Sequence, residues 1–192
     1  MNKQFPVDYI TYYDNNKQLP REVPISLKNT KKLGFHVLKL TPDSYNVPTD
    51  IKPYHAGFKH MRDITMPKIM KKLKTDPIIK GFFIAEGDVW IYDKFNFEDF
   101  LSLKLTKPTW IGYKKKLSNY IVGNFLLYFP KKYIEPLNKL FQAQTKLIYS
   151  DRFFSKLYFD GFIQLHPQSL TSEIEHYSNV IKGVRTSNIK MK

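Results

Sequence analysis

The sequence predicts one α/β domain, a central and mostly parallel sheet flanked by helices, and three observations carry that expectation. Two β-branched or aromatic runs, Val7–Tyr13 and Phe35–Leu40, enclose a helix-like segment, which is the pattern of a strand–helix–strand unit. Ile78–Ala85 is apolar apart from Lys80 and Gly81, as a strand buried on both faces would be. A chain of 192 residues with 42% hydrophobic and 16% aromatic content is enough for one packed core and too little for two large ones. We assign residues 1–180 to the domain and residues 181–192 to a basic C-terminal tail.

The first strand stops at Asp14-Asn15-Asn16, residue types whose side chains support turns. Pro20 and Pro24 precede a helix over Pro24–Leu33, and Gly34 stands where helices commonly end. Two strands joined through a helix lie parallel. Thr41–Pro53 contains three prolines and reads as a loop. A basic helical segment follows to about Lys74, with Ile64, Ile69, Met70 and Leu73 on one face and lysines on the other. Pro67 marks an interruption in it. After the apolar strand, Phe95–Leu101 reads as a short helix, Thr109–Tyr113 as a strand and Lys114–Lys116 as a hairpin turn or loop. Phe125–Phe129 is a further strand, and Pro130 opens a helix running to about Ala143. Tyr149–Arg152 is an N-cap signal for a helix over Phe153–Tyr158, Ile163–Leu165 is a last short strand, and Thr171–Lys192 a loosely packed tail.

Composition excludes several chemistries. Without cysteine there is no disulfide, thiolate nucleophile or cysteine-bound zinc. No apolar run approaches the ~20 residues of a membrane span, and Met1–Pro6 lacks the apolar centre of a signal peptide. A soluble, cytoplasmic protein is the expectation. The net charge of +14 suits a polyanion, an anionic membrane surface or phosphorylated substrates. The lysines are spread along the chain, however, and a solvated basic surface explains them equally well.

The apolar strand delivers Glu86 and Asp88, separated only by Gly87, to its carboxyl end. Desolvated carboxylates need a partner, and a hard divalent cation such as Mg²⁺ or Mn²⁺ is one. A solvated acidic turn is the plain alternative. The order of parts bears on that choice: a strand–helix–strand unit, then Glu86-Gly87-Asp88-Val89, then Ser150-Asp151 at a helix start, then Glu175-His176-Tyr177.

That order resembles the GT-A class of nucleotide-sugar glycosyltransferases over Val7 to Asn179, a fold related to the Rossmann type. The resemblance implies Mn²⁺ or Mg²⁺ on the diphosphate of a nucleotide-sugar donor such as a UDP-sugar. Asp88 and His176 would be metal ligands, and Glu86 would contact the sugar or ribose. Thr11, Tyr12 and Tyr13 would meet the nucleotide. Asp151 would be the base that deprotonates an acceptor hydroxyl, although it also reads as a helix cap. Arg62, with Lys59, Lys68 and Arg152, could assist the phosphates. The acceptor could be a glycan, lipid or protein hydroxyl, or a hydroxymethylated base in DNA, with Trp90, Trp110 and Tyr113 as stacking platforms. Two other readings stay open: a non-catalytic basic nucleic-acid-binding protein, and a metal-dependent nucleotidyltransferase or nuclease.

Overall fold

The computed structural model describes residues 9–13, 36–38, 53–86, 89–91, 105–111, 113–123, 126–166 and 174–176. Strands β1 (Tyr9–Tyr13), β2 (His36–Leu38) and β3 (Gly81–Glu86) lie parallel, with β1 in the middle. Strand β4 is Val89–Ile91, β5 Thr109–Trp110, β6 Tyr113–Lys116, β7 Ile121–Gly123, β8 Leu126–Pro130, β9 Gln164–Leu165 and β10 Ile174–His176. Six of them form one sheet in the order β2-β1-β3-β8-β5-β9. Strand β8 is antiparallel to both β3 and β5, and β9 is parallel to β5. Five strands therefore share one direction and β8 is reversed. Their carboxyl ends, at Tyr13, Leu38, Glu86, Trp110 and Leu165, fall along one edge of the sheet. The expected α/β architecture with a mostly parallel sheet is the one observed.

The described helices pack against one face. They are α1 (Pro53–His60), α2 (Met66–Thr75), α3 (Ile134–Ala143) and α4 (Ser150–Phe159). Between α1 and α2 the chain takes a π-helical turn, Met61–Thr65, closed by a bond from Met66 N to Met61 O. Pro67 explains it, because proline has no N–H and its ring collides with the carbonyl four residues back, so the ladder widens there. The interruption expected at Pro67 thus leaves the helical path continuous. Phe82 and Ile84 of β3, Leu127 and Phe129 of β8 and Trp110 of β5 pack with Phe58, Phe141, Phe153 and Phe154 from the helices. Ring centroids stand 5.1 Å apart for Phe58–Phe153 and 4.5 Å for Phe141–Phe153. Each such ring contributes on the order of 2–3 kcal/mol through burial. Phe83 and Ala85, the alternate residues of β3, are buried as well, so the strand is covered on both faces as its apolar run foretold.

Several boundaries differ from expectation. Strand β3 starts at Gly81 rather than Ile78, which is an exposed residue. A Cβ on Gly81 would come within 2.7 Å of Phe129 O, so only glycine lets β8 approach this closely. The Lys114–Lys116 triplet is part of β6, and the hairpin turns instead at Leu117–Tyr120, where Leu117 N donates to Tyr120 O. Pro130 ends β8 opposite Gly81, and a 3-10 turn, Lys131–Tyr133, precedes α3. Helix α4 begins at Ser150, ahead of the expected Phe153. The segment from Thr171 is not a loose tail throughout, because β10 pairs with β4. The helices expected over Pro24–Leu33 and Phe95–Leu101 lie outside the described residues.

Candidate active site

In an open parallel sheet, ligands bind beyond the strand ends where neighbouring strands send their connections to opposite sides. Strands β1 and β3 meet that condition. In strand order the chain steps from β1 to β2 on one side and from β3 toward β5 on the other, so the switch point falls between β1 and β3. The register brings Thr11 opposite Ile84, Tyr12 opposite Ala85 and Tyr13 opposite Glu86. Thr11, Tyr12, Tyr13 and Glu86 therefore reach the same edge, at that switch point. Asp88 lies outside the described residues. The chain is described again at Val89, and the β4–β10 register sets His176 opposite Val89. His176 is thus paired with the residue that follows Asp88 in the chain.

Carboxylate oxygens beside an imidazole form a donor set that suits a divalent cation. Among the described residues no group of three or more His, Cys, Asp or Glu stands ready to hold a metal ion. Asp88 is the residue on which such a site would turn.

Asp151 sits in the first turn of α4. That helix runs back along the sheet into β9, and Gln164 N donates to Pro108 O just ahead of β5. The N-terminus of α4 is thus directed toward the carboxyl edge of the sheet. The N-cap of that helix is Tyr149, without a side-chain bond, rather than Asp151. Its Oδ2 instead accepts a hydrogen bond of 2.7 Å from the Tyr120 hydroxyl. Burial raises the Tyr120 pKa, and the bond to Asp151 and its negative charge raise it further. Tyr120 is therefore a permanent donor that keeps the carboxylate in place.

Arg62 is employed within the helical layer. Its Nε donates to Asp63 Oδ1 at 2.8 Å and its Nη1 to Gln144 O at 3.2 Å, and the guanidinium lies over Phe58. Lys59 also bonds Asp63, at 2.5 Å. Burial alone would raise the Asp63 pKa, but the hydrogen bonds and charges of Arg62 and Lys59 prevail and lower it. These contacts brace the π-helical turn against the end of α3. Trp110 is 0% exposed in the core, so it offers no face to a base.

A second group of residues gathers around Asp151, of which the sequence had pointed only to Arg152 as a functional candidate. A cleft of about 850 Å³ lies between the β6–β7 turn and the outer face of α4, lined in part by Tyr120, Tyr149, Arg152 and Lys156. Tyr149, Arg152, Lys156 and Phe159 recur at spacings of three, four and three, so they share one helical face. His55 of α1 packs edge-on against Tyr149, with centroids 5.4 Å apart. The helical spacing was readable beforehand; the hairpin opposite it was not.

The architecture and this edge define a mixed α/β fold of the GT-A and nucleotidyltransferase-like kind. The chain is similar to a glycosyltransferase involved in the glycosylation of the major capsid of PBCV-1, with a TM-score of 0.60 and 10% identity, over 84% of this chain and 82% of that one. It is also similar to 4-diphosphocytidyl-2C-methyl-D-erythritol synthase from Anaerococcus prevotii DSM 20548, with a TM-score of 0.51 and 9% identity, over 95% and 96%. No protein-family model matches the chain, and no curated protein does. No helix among the described residues is long and apolar enough to cross a membrane.

Proposed function

We propose that this chain is a metal-dependent glycosyltransferase that moves a sugar from a nucleotide-sugar donor, of the UDP-sugar kind, to a hydroxyl acceptor. The observation that carries the reading is the switch point at the carboxyl ends of β1 and β3, where Tyr13 is paired with Glu86. The fold shared with a glycosyltransferase supports the reaction class. Thr11, Tyr12 and Tyr13 would bind the nucleotide, Glu86 the ribose or sugar, and Asp88 and His176 would hold Mn²⁺ or Mg²⁺. The cation, when bound, neutralises charge that develops on the diphosphate. Arg62 stays a candidate for the phosphates only if its bonds to Asp63 and Gln144 are exchanged.

Asp151 has the remaining task. In an inverting transfer the acceptor oxygen bonds to the anomeric carbon while the bond from that carbon to the diphosphate breaks. The electron pair leaves on the diphosphate, and the acceptor proton passes to the Asp151 carboxylate. Tyr120 holds that carboxylate in one orientation, as a general base requires.

A nucleotidyltransferase is the second reading, favoured by the similarity to the synthase. Titration calorimetry with UDP-sugars and Mn²⁺ separates the site assignments. Asp88→Ala is expected to weaken metal-dependent donor binding at least tenfold, a change of ~1.4 kcal/mol. Asp151→Asn is expected to bind donor normally and transfer about a hundredfold more slowly or worse. Unchanged metal-dependent binding by Asp88→Ala would show the edge to be wrongly assigned.

A further inference from the structure

The cleft beside Asp151 continues past its own helix. A second hollow, of about 500 Å³, is lined by Lys107, Lys116, Tyr158 and the turn at Gly161, and shares Phe159 with the first. Both touch that ring and residues of α4, whose ten residues, Ser150–Phe159, span about 15 Å at the helical rise. One lining residue, Tyr120, bonds Asp151 directly. A chain lying in the groove could therefore present one end to the carboxylate assigned as base.

The charges of the groove are unequal. Lys156 is paired with Asp160, and Asp151 receives the Tyr120 hydroxyl, so both nearby carboxylates are engaged. Arg152, Lys116 and Lys107 form none of the ion pairs among the described residues, whereas Lys59, Arg62, Lys72 and Lys139 elsewhere do. Three cations gathered in one groove repel one another unless an anion joins them.

The aromatic rings narrow the occupant. Arg152 lies over the Tyr149 ring at 5.3 Å and Lys116 over Tyr158 at 5.1 Å. Phe159 carries no cation among the described residues; it meets Tyr158 in a T-shaped contact, with centroids 5.0 Å apart, and is 42% exposed. A single-stranded nucleic acid needs successive open faces for successive bases and a basic track along its phosphates. One open ring and three cations fall short of that. They fit one sugar ring on Phe159 and a few carboxylates spaced along a short chain.

We propose that the groove binds the acceptor as an anionic oligosaccharide, with Phe159 under a sugar ring and Arg152, Lys116 and Lys107 on its acidic groups. The proposal rests on the glycosyltransferase reading for the reaction but not for the binding.

The test uses the full chain, titrated with tetragalacturonate, with neutral maltotetraose and with a short single-stranded DNA. Tetragalacturonate is expected to bind, about tenfold more weakly to Phe159→Ala and to Lys116→Ala, while both variants bind UDP-sugar with Mn²⁺ as the parent does. Absence of binding, equal binding of maltotetraose, or indifference to both substitutions would overturn the proposal. So would DNA binding with the same dependence on Phe159, which would make the occupant a nucleic acid. Tetragalacturonate binding as expected by a chain that binds no nucleotide-sugar would uphold the groove and reject only the reaction assigned above.

Discussion

Tyr120 and Asp151 meet across 31 positions of sequence, and their single hydrogen bond does two opposed things. It orients the carboxylate, and by stabilising the charged form it also makes that carboxylate a weaker base. Tyr120→Phe is therefore expected to lower kcat for transfer severalfold with little change in donor KM. It should also move the acid limb of the kcat profile to higher pH, because Asp151 loses a donor to its ionised form. A lower kcat with an unmoved limb would reduce Tyr120 to packing. At this scale the sequence was partly legible. Asp151 could be picked out by its place at a helix start, but Tyr120 could not, because its role comes from a hairpin folding back onto α4. The lysine triplet obscured that hairpin: three charges suggested a turn, while pairing with β7 made them a strand and left Leu117–Tyr120 to turn.

Among the elements, the strands were legible and their ends less so. β-Branched and aromatic runs identify β1, and continuous apolar runs identify β3 and β8, but only the pairing of Gly81 with Pro130 sets where β3 begins. The edge of the sheet follows from strand order, which periodicity does not contain; the reversed β8 and the β4–β10 pair are both products of tertiary contact. The helical layer holds one buried titratable group worth testing. His60 lies at the end of α1, 4% exposed, with Nδ1 3.3 Å from Thr65 Oγ1 across the π-helical turn. Burial lowers its pKa to about 4, the Lys68 charge lowers it too, and Asp63 opposes them weakly. The unfolded chain, with an ordinary histidine pKa near 6.5, thus takes up the proton first. Stability is full above about pH 6.5 and declines as pH falls toward 4, by about 3 kcal/mol for this group. Urea unfolding at pH 7 and pH 4.5 should show that loss in the parent chain and a smaller one in His60→Gln. An equal loss in both would place the titration elsewhere.

For the molecule as a whole, the fold was the most legible feature and the partner the least. One strand–helix–strand unit, one apolar strand and the chain length point to an α/β domain, and the same architecture recurs in two solved structures at only 9–10% identity. Burial patterns survive such divergence because many apolar residues satisfy them, whereas a short acidic motif has no redundancy. The net charge of +14 does not choose between partners until it is resolved into ion pairs. Lys59, Arg62, Lys72, Lys139 and Lys156 are in ion pairs, and the groove beside α4 holds three cations that form none among the described residues. The central claim is that the switch point between β1 and β3 takes a nucleotide-sugar with a divalent cation. Thermal unfolding of the parent chain with UDP-sugars or CTP, each with and without Mn²⁺, tests it most directly. A ligand at a hundredfold excess over its Kd adds ~2.7 kcal/mol, which raises Tm by roughly 5–10 °C for a chain of this size. We expect that rise with a UDP-sugar and Mn²⁺ together and not with either alone. A rise with CTP and Mn²⁺ but none with any nucleotide-sugar would contradict the account and favour a nucleotidyltransferase.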